Sequence, residues 1–181
     1  DVERSRGLGD VYKRQLVYGA LCVALSFMLS YIKLFSLPMG GSLTLCSMLP
    51  IAAYACAFGP LYGFVAGLAF GMLQLIQDFY VIHWAQLLLD YFFAFACYGI
   101  AAYFPNKLTL GIAVAGLCRM LCSTLSGGIF FADSAVDAGW SNAWLYSLAY
   151  NGSTIGAETV LCVLVSLLPP VKKVLGLMKS E

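Results

Sequence analysis

Charge is what this sequence has least of. Only 10% of its 181 residues are Asp, Glu, Lys or Arg, against about a quarter in a soluble domain. That scarcity excludes an ordinary soluble globule, a disordered chain and a coiled coil. The net charge is +1, too small for the phosphate footprint of a nucleic-acid binder. Histidine occurs once, at His83, and no CxxC pair occurs. The seven cysteines all sit in apolar runs. They read as small hydrophobes in helix packing, not as a disulfide framework or a zinc site. HExxH, GxSxG and Walker A patterns are absent too, so no motif supports hydrolytic or ATPase chemistry. The chain reads as a non-enzyme without a cofactor of its own, and any active transport would draw on ATP used by partner subunits.

What the sequence has in excess is apolar. Hydrophobic residues make up 61% of it and the mean hydropathy is +0.86. This composition describes an integral membrane protein, embedded in a lipid bilayer whose core of about 30 Å takes about 20 apolar residues per helix. Apolar runs predict six spans at about 16–35, 44–58, 61–76, 86–104, 108–131 and 143–168. The expectation is therefore an all-α, integral membrane six-helix bundle. Residues 1–15 form a polar leader that holds seven of the 19 charged residues. Its RGLGDVYKRQ stretch resembles translated sequencing-adapter read-through, so the expectation is that the leader is not native. Residues 16–171 form the membrane domain, and 172–181 a basic tail with Lys172, Lys173 and Lys179.

Local patterns sharpen this outline. Gly59, Gly63, Gly67 and Gly71 recur every four residues and predict a close helix contact along one face of the third span. Pro60 is suited to the first position of that helix. Pro50 predicts a bent or tilted second span. Ala20 and Ala24, one turn apart, form a small-residue face on the first span. Outside the leader, Lys107, Lys172, Lys173 and Lys179 fall on one side of a six-span bundle. Lys33, Asp78, Asp133 and Asp137 fall on the other. The positive-inside rule then puts both termini in the cytoplasm, and the polar, aromatic loops face outward together.

Three ionisable residues lie at or near membrane depth: Asp90, Arg119 and Glu158. Such groups face a cavity or a partner. Arg119 could neutralise one or both carboxylates and fix packing, a role compatible with ligand contact. Asp90 sits one turn inside the outer end of its helix, and Tyr91, Tyr146, Tyr150 and Asn151 share that outer half. A carboxylate among aromatic faces suits a small organic cation, through charge pairing and cation–π contact. Belt aromatics at the interface are the plainer reading of some of these residues. His83 and Trp84 in the loop before the fourth span complete the candidate set, although a lone loop histidine is ordinarily a solvated hydrogen-bonding residue.

Blocks in order then carry a resemblance. They are residues 39–51 (MGGSLTLCSMLPI), Gly59-Pro60 with the glycine helix, Gln74, residues 80–91 (YVIHWAQLLLDY), Ala94-Phe95, Arg119, Ser126-Gly127, Tyr146, Tyr150-Asn151 and Glu158. Together they resemble the thiamine-specific substrate-binding (S) components of the energy-coupling factor (ECF) transporters. The resemblance implies a six-helix S-component fold in a bacterial plasma membrane, with an outward thiamine pocket and an energising module of one transmembrane scaffold and two ATPases as partner. It implies that Asp90 reads the aminopyrimidine of thiamine. Tyr91, Tyr80, Tyr146 and Asn151 would line the pocket, Phe131 would stack on a ligand ring, and Arg119 would bridge to the pocket carboxylate. Residues 32–43 would close as a lid, and Ala20 and Ala24 would dock on the scaffold. Three positions depart from the family pattern: Asp90 replaces a longer glutamate, Ser123 a histidine and Phe92 a proline. Beside this reading stand an ion-coupled secondary transporter using Asp90, Arg119 and Glu158 as a relay, an S component for another vitamin, and a membrane assembly protein.

Overall fold

The computed structural model describes residues 2–38 and 41–180, so Met39 and Gly40 of the 39–51 block lie outside the described residues. Among the described residues the elements are helices, joined by short loops, and one small hairpin. Helix α1 runs Val2–Ser30, continuous through the polar leader. Strands β1 (Lys33–Ser36) and β2 (Ser42–Thr44) then pair antiparallel, with a bulge between Lys33 and Phe35. Helices α2 (Leu49–Phe58) and α3 (Pro60–Gln77) follow, then α4 (Trp84–Tyr103) and α5 (Leu108–Phe130). A short α6 (Ala132–Asp137) precedes α7 (Ala143–Ser166), and α8 (Pro169–Ser180) closes the chain.

Helices α3, α4, α5 and α7 are long and apolar enough to cross a membrane, and α2 is a shorter apolar helix. Large apolar side chains cover their outsides, among them Leu61, Val65, Leu117, Leu121, Val160 and Leu164, all half or more exposed. The inside is filled by small residues and a few rings: Ala52, Ala55, Ala101 and Ala115 are fully buried, as are Phe70 and Tyr98. That inversion is what a lipid solvent selects, because helix association there depends on close packing rather than on hiding apolar surface from water.

The glycine stripe explains how tightly α3 seats. A Cβ at Gly67 would lie 2.3 Å from the Phe95 carbonyl oxygen, and one at Gly71 2.0 Å from that of Tyr91. A Cβ at Gly63 would meet that of Ala55 at 2.4 Å. Three of the four glycines therefore let the backbones of α2 and α4 approach α3. Gly59 differs: nothing lies within 4 Å of its Cβ position, and its φ of +102° is what turns the chain between α2 and α3. Pro60 does occupy the first turn of α3.

Two span ends move from their expected places. The first apolar run extends to residue 35, but α1 ends at Ser30 and Phe35 belongs to β1. The second begins at residue 44, but Thr44 ends β2 and α2 starts at Leu49. Apolar content could not tell a strand of the hairpin from the last turn of a helix. Beyond Pro169 the chain resumes as α8, whose Met178 is buried in the core and whose Lys172, Lys173 and Lys179 stay exposed.

Candidate functional site

Two local irregularities aim the polar residues inward. Leu88–Phe93 within α4 and Gly152–Gly156 within α7 are π-helical. Each π turn adds about one residue to the winding, and such turns are frequent at functional sites. Along a regular helix Tyr146 and Glu158 would diverge by about 120°; one extra residue brings them within about 20°. The same widening turns Phe95 toward the side that carries Gln86, Asp90 and Tyr91. On α5, Arg119, Ser123, Ser126 and Gly127 share a face by ordinary helical spacing.

These faces enclose a cavity of about 160 Å³; a single water needs about 10–15 Å³ by the same measure. Gly41, Ser42, Thr44 and Ser47 line it from the hairpin side. Asp78, Tyr80 and Phe131 come from the loops, and Gln86, Asp90, Arg119, Tyr146, Asn151 and Glu158 from the helices.

Asp90 is anchored through one oxygen. Gln86 Nε2 donates to Asp90 Oδ2 at 2.8 Å and Ser126 Oγ donates to the same atom at 2.7 Å. Gln86 is 2% exposed and its amide is fully used. It also donates to the Tyr80 carbonyl at 3.2 Å, and its Oε1 accepts from the Ile82 backbone at 3.4 Å. The carboxylate and the 80–82 loop are thus held by one side chain. Tyr91 reinforces the loop by donating to the Asp78 carbonyl at 2.6 Å and accepting from the Tyr80 N–H at 3.3 Å.

Glu158 heads a second polar cluster, nearly all of it buried. Its Oε1 accepts from Thr44 Oγ1 at 2.6 Å and from Ser47 Oγ at 2.7 Å. Its Oε2 lies 3.4 Å from Arg119 Nη1. Arg119 also donates to the Tyr98 hydroxyl, and its guanidinium sits 4.4 Å from the centre of the Phe95 ring. Arg119 therefore pairs with Glu158 rather than bridging to Asp90. Gln86 and Ser126 already occupy Asp90 Oδ2, and the π turn of α7 swings Glu158 into reach.

Aromatic faces complete the walls. Tyr80 stacks on Phe131 with centroids 5.8 Å apart and planes inclined by 21°. Trp140, Tyr146 and Tyr150 form a chain of rings at 6.0 Å spacings. The Tyr150 hydroxyl donates to the Pro38 carbonyl and accepts from the Gly41 N–H at 2.8 Å, which fastens the hairpin over the cavity. Lys33 pairs with Asp78 at 2.7 Å and ties the hairpin to the end of α3.

Of the residues singled out in the sequence, Asp90, Tyr91, Tyr80, Tyr146, Asn151, Phe131, Arg119 and Tyr150 line this one cavity. His83 and Trp84 do not. His83 caps α4 by accepting from the Ala85 N–H at 3.1 Å and stacks on Phe130, while Trp84 is 69% exposed. Gln86, Ser126, Thr44 and Ser47 lie within the blocks that carry the resemblance, but the sequence alone assigns them no role at the site. The spacing does point to Ser126, which lies seven residues after Arg119 and so on the same helical face. Ala20 and Ala24 are exposed on α1, away from the cavity.

A multi-pass helical membrane protein built around a solute-sized, acid-bearing aromatic cavity is the architecture of a transport or solute-binding protein. The comparisons give the family. The thiamine transporter protein family (Thia_YuaJ) matches residues 16–177. The thiamine transporter ThiT of Bacillus subtilis (strain 168) is 31% identical over 147 residues, 72% of this chain and 75% of that protein. The solved structure of ThiT from Listeria monocytogenes superposes with a TM-score of 0.71 at 23% identity, over 92% of this chain and 94% of that one. The chain belongs to the thiamine transporter protein family, a family of transporters rather than enzymes.

Proposed function

We propose that the chain is the thiamine-binding S component of an ECF-type importer in a bacterial cell membrane. It would span the membrane six times, with α1 and α2 joining the four long helices and both termini in the cytoplasm. The observation that carries this reading is the Asp90 carboxylate, fixed through Oδ2 by Gln86 and Ser126 among the faces of Tyr80, Phe131 and Tyr146. Thiamine joins a permanently cationic thiazolium to a flat aminopyrimidine. Asp90 accepts hydrogen bonds from the exocyclic amine, and Asn151 meets the ring nitrogens or the hydroxyl. The aromatic faces hold the cation, at about 0.5–2 kcal/mol per contact. Tyr91 and Arg119 act through the groups they hold, Tyr91 through the loop and Arg119 through Glu158.

The hairpin over the cavity is the lid. Opening it breaks the Tyr150 bonds to Pro38 and Gly41 and the Lys33–Asp78 pair. Inward release needs an energising module, a scaffold subunit with two ATPases, docked on the exposed Ala20–Ala24 face of α1. The test is equilibrium binding to the purified chain without partners. Thiamine is expected to saturate one site per chain, and ATP-independent uptake into vesicles lacking partner subunits is expected to be nil. Uptake under those conditions would favour an ion-coupled carrier instead.

A further inference from the structure

A second recess lies at the opposite end of the bundle from the hairpin. It is enclosed by the turn before α5, the first turns of α5, the last turns of α7, and α8, and has a volume of about 730 Å³. Lys107, Lys172 and Lys179 line it, and among the described residues no acidic side chain does. All three lysines are exposed. The remaining walls are largely apolar, with Leu110, Val163 and Leu167 among them.

The position of these groups along the membrane normal is set by the spans. Lys107 immediately precedes α5, and Lys172 follows the end of α7 by six residues, so both lie at one membrane boundary. Leu110 is exposed in the first turn of α5 and Leu167 is exposed just past the end of α7, beside the acyl region. Helix α8 buries Met178 against the core, and its Lys179 donates to the Pro105 carbonyl in the turn before α5. A cationic edge at headgroup level above apolar walls at acyl level is complementary to an amphiphile with an anionic head. Basic recesses of this kind between spans take anionic headgroups. A free phosphate would leave the apolar walls and most of the volume unused.

We propose that this recess is a binding site for one anionic phospholipid, with its phosphate on Lys107, Lys172 and Lys179 and its chains against α5 and α7. The test uses the full chain purified in detergent and titrated with phosphatidylglycerol or with phosphatidylcholine of the same acyl chains, followed by native mass spectrometry and thermal melting. Phosphatidylglycerol is expected to be retained as a single adduct and to raise the melting temperature, and phosphatidylcholine to do neither. Each of Lys107→Gln, Lys172→Gln and Lys179→Gln is expected to weaken phosphatidylglycerol binding about fivefold, and the triple variant at least tenfold. Lys173→Gln, outside the recess, is expected to leave it unchanged. Thiamine affinity is expected to be the same in all of these variants, which reports their folding independently. Equal retention of both lipids, undiminished phosphatidylglycerol binding in the three single variants, or displacement of the lipid by inorganic phosphate would overturn the proposal.

Discussion

Replacing Gly71 by alanine probes how helix packing positions the pocket acid. The new Cβ would stand 2.0 Å from the Tyr91 carbonyl oxygen and 3.1 Å from the Phe95 Cβ. The first neighbour is backbone, which has no rotamer to escape into. Restoring an ordinary 3.4 Å contact requires α3 and α4 to part by about 1.4 Å. Overpacking of this kind costs about 1–3 kcal/mol, partly offset by about 1 kcal/mol of helix propensity gained over glycine. The larger effect falls on binding, because the displaced π turn carries Asp90 beside Tyr91. Misplacing a positioned group by about 1 Å can cost about a hundredfold in rate, and we expect at least a tenfold loss of thiamine affinity. Gly152→Ala is the control: nothing lies within 4 Å of its Cβ position, so affinity should hold and stability should not fall. Titration with thiamine followed by tryptophan fluorescence, beside a thermal melt, reads both quantities. Wild-type affinity in Gly71→Ala would refute the claim that the glycine stripe sets the position of Asp90.

Three further outcomes follow from the geometry. Glu158→Gln leaves the largely buried Arg119 without its counter-charge and should destabilise the fold by up to about 3 kcal/mol, read as a lowered melting temperature; an unchanged melt would show that the pair contributes nothing net. Tyr150→Phe removes the hydroxyl that bonds Pro38 and Gly41, and at about 0.5–1.5 kcal/mol per hydrogen bond thiamine should dissociate several-fold faster in stopped-flow measurements. A lid that is not fastened this way would show no change. Leucine at both Ala20 and Ala24 should abolish uptake in cells carrying the energising module while leaving thiamine binding by the purified chain intact, and persisting uptake would place the docking face elsewhere.

Much of the scaffold was legible because lipid imposes a simple code. Long apolar runs, Pro60 at a helix start and glycines every fourth residue have one physical meaning each, and α3 through α5 and α7 form close to where those signals put them. Asp90, Arg119 and the tyrosines at 91, 146 and 150 could be gathered because a charge or a cluster of tyrosines stands out in an apolar run, whereas Tyr80 and Phe131 were indicated only by the family resemblance. The hairpin was not legible, since Phe35 is as apolar as the helix before it. Nor were the π turns, which depend on tertiary packing and carry no residue signature, and they decide that Arg119 meets Glu158 rather than Asp90. Gln86 and Ser126 carry no such mark, because an uncharged polar residue in a membrane helix does not demand a charge partner as an ionisable one does. Only the assembled structure brings them to one carboxylate oxygen.

The central claim is that Asp90 reads a cationic aminopyrimidine ligand in this cavity. The most direct measurement is a thiamine titration of the purified wild-type chain and of Asp90→Asn, with thermal melts confirming that both are folded. Saturable wild-type binding at one site per chain is expected, with a loss of at least tenfold in the variant, about 1.4 kcal/mol. Equal affinities in two folded proteins, or no saturable binding by the wild type, would contradict it.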